Sequence, residues 1–225
     1  MHPVSASRQL RQKGNVILEF ALIAPFLMIL LAASFTLGMS LNRSIQASNV
    51  ARNANVLMVR NIDLSISENQ QLLMRSAAGL GLNAPGSFLP STTGNGILVL
   101  TKVLKVGPVQ CSLGISGWNG TPSTCPNYDQ YVIAQRISLG NPEKGSSPLG
   151  NPTSALSSDG RLSDGDIAQV TSNRASGFRT TPDADGILFL DLDSFAYVSE
   201  LFVDISELSI LPWLAAPNIA IRNVS

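Results

Sequence analysis

Few residues in this chain could do chemistry, and they are unevenly placed. The one histidine, His2, lies in a basic N-terminal stretch with Arg8, Arg11 and Lys13. Without that stretch no imidazole remains, which excludes Ser-His and Cys-His nucleophilic units and metal sites built on imidazole. Asp164-Gly165-Asp166 and Asp183-Ala184-Asp185-Gly186 invite calcium, but neither completes the alternating acid order of an EF-hand loop with its closing glutamate. Asx-type turns explain both, so no metal and no cofactor is expected. There is no phosphate-binding glycine loop and no close acid pair in a catalytic motif, and the chain reads as a non-enzyme. Cys111 and Cys125, with 13 residues between them, match no common two-cysteine metal or redox pattern. A structural disulfide is the expectation, stabilising the fold by roughly 3 kcal/mol on the chain-entropy model.

The acid that stands out is Glu19. It follows Gly14 by five residues and precedes a run from Phe20 through Asn42, 23 positions, without a charge. A helix rises about 1.5 Å per residue, so about 20 such residues cross a bilayer. An acid inside such a span costs at least ~2.5 kcal/mol, which makes Glu19 a functional candidate, although at the headgroup level it can snorkel to water. Pro25 lies within the same helix, removes one hydrogen bond and predicts a kink or a deformable turn.

The charges flanking the span set its orientation. Arg8, Arg11 and Lys13 precede it and Arg43 is the one charge close after it, which predicts a cytoplasmic N-terminus with everything past Leu41 outside. In that compartment disulfides persist. A cleaved secretory signal ending near Ala32-Ala33-Ser34 is the alternative; Glu19 and the length of the apolar run argue against it. With 15 basic and 15 acidic residues the net charge is zero, so a nucleic-acid partner held by a basic surface is not expected.

Beyond the span, Ile45, Val50, Ala54, Leu57 and Met58 recur at helical spacing and continue the helix to about Asn61. Ser65-Ile66-Ser67-Glu68 fits a capping box opening a second helix, with Leu72, Leu73, Ala77 and Leu80 on its apolar face and Gly79 or Gly81 as its stop. Strand signals follow at 96–106, with lysines on opposite faces, and at 131–139, where Tyr131, Ile133, Ile137 and Leu139 share a face. Residues 140–185 are rich in turn formers, and strand signals return at 187–190, at 195–205 and, after a Pro212-Trp213 connection, at 219–224. In the 195–205 run, Phe195, Tyr197, Leu201, Val203 and Ile205 make one face, with Glu200 and Asp204 on the other.

The expected fold is α+β: a long N-terminal membrane helix and a second helix packed on an antiparallel sheet of about four strands. The expected organisation is a basic leader, 1–14; a long helix, 15–62, with a membrane part 16–41 and an amphipathic part 42–62; and an extracytoplasmic domain, 63–225, with a variable loop region 140–185.

A leader ending in Gly14, four residues, then Glu19-Phe20 and a long apolar helix resembles the type IV pilin cleavage and assembly signal. The fuller pattern Gly14…Glu19-Phe20-Ala21-Leu22…Pro25 is similar to the TadE-like minor pilins of the tight-adherence (Tad, or Flp) pilus system. The resemblance is specific over residues 11 to about 60 and weaker beyond, where the run Tyr197 to Asp204 is similar to a late strand of that family. It implies removal of the leader by a prepilin peptidase, which would accept an extended backbone at Gly14 and leave Asn15 as the new N-terminus. Glu19 would then pair with the α-amine of a neighbouring subunit, with Phe20 and Pro25 in the assembling helix. The implied partners are the peptidase, other minor and major pilins, the assembly platform and the lipid of the inner membrane. The implied location is the inner membrane, single-pass with a periplasmic C-terminal domain, and after assembly an extracellular pilus, with its tip among the positions implied. Two alternatives stand beside this reading. One is a membrane-anchored or secreted adhesin that binds through loop aromatics such as Trp118 and Tyr128; the other is a type II secretion pseudopilin.

Overall fold

An apolar run satisfies its own backbone only as a helix, and this one does so for 53 residues: α1 spans Ser7–Val59. The computed structural model describes residues 7–204 and 218–225, and within α1 the side chains from Val16 onward. The remaining elements are α2 (Ser67–Ser76), β1 (Gly96–Lys105), α3 (Pro108–Gly114), β2 (Tyr131–Gly140), α4 (Asp164–Gln169), β3 (Phe195–Val203) and β4 (Ile219–Val224). The α+β class and the four-stranded antiparallel sheet expected from the sequence are both present. His2, Ile205 and the Pro212-Trp213 connection lie outside the described residues.

The helix starts at Ser7 rather than near Asn15, taking in residues 7–14, because nothing there breaks it: Gly14 costs only about 0.5–1 kcal/mol against alanine. It stops at Val59 through a Schellman closure. Asn61 takes the left-handed conformation (φ 55°), its N–H donates to Met58 O at 2.9 Å and the Ile62 N–H to Leu57 O at 3.0 Å. The chain divides into two compact units, and the division falls within α1 between Asn42 and Arg43. In the first unit the apolar side chains stand exposed, and the Ser34 and Thr36 hydroxyls donate to the carbonyls of Leu30 and Ala32.

In the second unit the sheet runs in the order β2-β1-β3-β4, all pairs antiparallel. One face, carrying Leu98, Leu100, Ile137, Tyr197, Ser199 and Leu201, meets α1. The Ser199 hydroxyl donates to Ala51 O at 2.7 Å, and the buried stripe of the helix is Ala47, Val50, Ala51, Ala54 and Met58. That stripe corrects the expected one. Ile45 faces out, Leu57 is half-buried, and the small alanines allow close approach to the sheet. The second helix also starts differently from expectation. Asp63 Oδ1 accepts from both the Ser65 hydroxyl and its N–H, so Ser65 cannot cap, and Ile66 is the uncapped N-terminal residue. Gly81, in the left-handed conformation (φ 69°), ends the following turn.

A one-residue bulge re-aims the second strand. Lys102 pairs with Gln135 and Val103 with Ile133, leaving Ala134 unpaired. Tyr131 and Ile133 therefore lie on the opposite face from Ile137 and Leu139, against the single face read from the sequence. The freed Ala134 joins a second core around the disulfide with Leu104, Val106, Val132, Leu162, Ile167 and Ala168. There α3 and α4 meet so closely that a β-carbon on Gly114 would lie 2.5 Å from Ala168 Cβ. Cys111 and Cys125 are joined as expected, with Cα atoms 5.9 Å apart.

The long excursion after β2 is ordered and does two jobs. Its backbone bonds along the free edge of β2, through Arg136 N–H to Gly160 O, Leu162 N–H to Ala134 O and Ala175 N–H to Tyr131 O, which blocks strand addition there. Its apolar residues Leu149, Phe178 and Leu190 cover the sheet face of Val103, Tyr131, Ala196 and Val198. The segment 187–190 is not a strand. Its Ile187 and Leu190 are spent on that cover, and it shares two backbone bonds with 177–179, Ile187 N–H to Gly177 O and Arg179 N–H to Leu188 O.

Both faces being covered, Glu200 is buried (1% exposed). Its carboxylate accepts from Arg222, directly opposite on β4, through Nε at 2.8 Å and Nη2 at 2.7 Å, and from the Ser147 hydroxyl. Nearby Arg136 is buried too and donates to Gly150 O and Asn151 Oδ1; burial lowers its pKa, and Glu200 pulls it back up. Removing one partner of a buried charge set costs about 3 kcal/mol or more. Glu200→Ala should thus lower unfolding free energy by about that amount in urea titration, with Arg222 and Arg136 left unbalanced. Replacing both cysteines by alanine should cost roughly 3 kcal/mol, seen as the gap between the variant and the oxidised parent in the same titration.

Candidate processing and assembly segment

Gly14, Asn15, Glu19, Phe20 and Pro25 all lie on α1. Asn15 and Glu19 are four residues apart, hence on one helix face and separated by about 6 Å of rise. The Gly14–Asn15 peptide bond is helical, so a protease that needs extended backbone must unwind this turn. Glycine, a poor residue for a helix interior, makes that unwinding cheaper. Glu19 is exposed and has no hydrogen-bond or ion-pair partner among the described residues. Phe20, next to it, is 72% exposed.

From Val16 the helix is long and apolar enough to cross a membrane. Its uncharged stretch rises about 35 Å against a hydrocarbon core of about 30 Å. Pro25 lies inside it without ending it. The proline has no N–H for the carbonyl of Ala21, which creates one unmet acceptor in an otherwise continuous ladder. Such a group is tolerated where neighbouring helices or side chains can supply a donor.

The other sequence candidates resolve into structure. Asp164-Gly165-Asp166 opens α4, capped by Ser163, whose hydroxyl oxygen accepts from the Asp166 N–H at 3.1 Å and donates to Asp166 Oδ2 at 2.6 Å. This is a helix cap rather than an Asx turn or a ligand loop. Around Asp183-Ala184-Asp185-Gly186 the backbone turns through Ala184 N–H to Thr181 O. Trp118 and Tyr128 pack against the disulfide core, and the indole N–H donates to Thr121 O at 3.2 Å.

Two groupings were not visible from the sequence. One is the buried Glu200 set; the other is a polar row across the helix-facing side of the sheet, Tyr197, Lys102, Gln135 and Arg161. Strand periodicity places Lys102 and Tyr197 each on a face of its own strand, but the register that sets Gln135 and Arg161 beside them has no signal in the sequence.

Comparison with known families matches residues 14–54 to the family described as TadE-like protein. Comparison with curated proteins and with solved structures gives no match. The matched segment begins at Gly14, contains Glu19, Phe20 and Pro25, and runs into the alanine stripe on which the sheet rests. Over that segment the chain is similar to TadE-like proteins, which supports an association with the Tad pilus system.

Proposed function

We propose that the chain is a minor pilin that takes part in assembly or tip formation of a Tad pilus, after a prepilin peptidase cuts between Gly14 and Asn15. The observation that carries this reading is the family match itself, which falls on the one helix that holds the cleavage glycine, the acid and the apolar span in register. Before cleavage the helix lies in the inner membrane, its basic N-terminal residues on the cytoplasmic side and the disulfide-bearing domain on the other.

Cleavage gives Asn15 a positive α-amine one helical turn from Glu19. In lipid the two can neutralise each other within a subunit. In a filament the same pairing made between subunits fixes their register, because an unpaired charge in an apolar setting is costly. A helix-to-helix contact that does not close on itself builds a fibre. The domain beyond the helix, about 160 residues, is too bulky for every position on a thin fibre, which favours a minor place such as the tip or the priming complex. In this role the protein is the substrate of a peptidase and then a building block, with no reaction of its own.

Mass spectrometry of the protein from native membranes should give a mature start at Asn15. An intact Met1 would instead indicate a permanent anchor, and a start near Phe35 a secreted domain. Glu19→Ala should still be cleaved, yet reduce piliation by about tenfold or more, as the loss of only ~1.4 kcal/mol per contact would produce. Pilus counts by electron microscopy at parental level would remove the pairing argument.

A further inference from the structure

The two edges of the sheet are treated differently. Along β2 the excursion takes up outward backbone groups; along β4 nothing among the described residues does. Tyr197 and Ser225 exchange both backbone bonds, Tyr197 N–H to Ser225 O at 2.7 Å and Ser225 N–H to Tyr197 O at 3.0 Å, which fixes the alternation along the strand. Asn223, Ile221 and Ile219 turn their N–H and C=O groups towards β3, and Ala220, Arg222 and Val224 turn theirs outward. None of these outward groups is bonded among the described residues. Natural sheets blunt an open edge with a lysine, a proline or a bulge. β4 has no lysine or proline, its register on β3 is unshifted, and its one charge, on Arg222, is turned onto Glu200.

We propose that β4 pairs antiparallel with β4 of a second copy about a two-fold axis at Arg222, joining the two sheets into one. In that register Ala220 stands opposite Val224 of the second copy and Arg222 opposite its own counterpart, so every outward residue falls in a hydrogen-bonded pair that exchanges both bonds. The side chains fit the same register. Ala220 leaves a hollow of about 240 Å³ against Phe202 and Pro148, and the branched Val224 of the second copy comes to its mouth. The two arginines meet with their charges already taken up by Glu200 of their own chains, so the contact is between neutral pairs. A second copy thus meets the demands of bonding, shape and charge with residues this chain already carries. Because the β2 edge is sealed, such pairing closes at two chains and leaves no edge to grow further. The inference stands on the second unit alone and is independent of the pilus reading.

The test is sedimentation equilibrium of the full chain in density-matched detergent micelles, where the parent should show a monomer–dimer equilibrium. Ala220→Pro removes an outward N–H and leaves every bond to β3 in place, so it should keep the melting temperature while weakening dimerisation about tenfold or more, two bonds being lost across the two-fold axis. In a mixture of Ile221→Cys and Asn223→Cys chains, positions 221 and 223 face each other across the proposed pair and should form a disulfide-linked dimer that neither variant forms alone. Should the proline variant melt lower than the parent, this mixed cross-link decides. A monomer at every concentration, a missing mixed cross-link, cross-linking by either variant alone, or a dimer untouched by Ala220→Pro would overturn the proposal, the last placing association in the membrane helix instead.

Discussion

One long helix, its hydrogen-bond ladder interrupted at Pro25, carries this protein. α1 runs from Ser7 to Val59 while its side chains change role partway along, from a largely apolar surface between Phe20 and Leu41 to a narrow stripe of alanines after it. The first kind of surface needs no water and fits lipid or other helices. The second lets a sheet approach closely enough for Ser199 to bond a helix carbonyl. Pro25 lies inside the helix without ending it, and the Schellman turn at Asn61 comes only after the sheet contact is complete.

A sheet pressed on a helix still has a second face and two edges. The excursion after β2 covers that face with Leu149, Phe178 and Leu190 and bonds along the β2 edge. Complete cover is what forces Glu200 to be neutralised from within, by Arg222 across the strand pair and by Ser147 from the excursion itself. The same segment therefore creates the burial and supplies part of the compensation, so cover and charge pairing must form together.

The sequence made the periodic parts legible. The span, the second helix, the four strands and the disulfide follow from spacing, because burial on one side repeats at 3.6 or 2 residues whatever else happens. It was silent where one residue decides. The bulge at Ala134 switches the faces of half of β2, and an ordinary alanine gives no sign of it. At Ser65 a capping box was legible but a local bond to Asp63 won. The apolar run 187–190 has strand composition, yet it spends its side chains as cover, a choice set by tertiary packing. In the N-terminal segment the residue types were readable, and the helical state of the Gly14–Asn15 bond was not.

The charges divide into two kinds. Lys105 finds Asp129 at 3.2 Å and the Phe189 ring, and Glu200 finds Arg222; these are settled inside the chain, where they specify the fold. Glu19 has no partner among the described residues, and Lys102 lies over the Phe195 ring, 4.2 Å from its centroid. In water an exposed carboxylate such as Glu19 costs the fold little, whereas in lipid a lone one is expensive, so a counter-charge matters more there than in water.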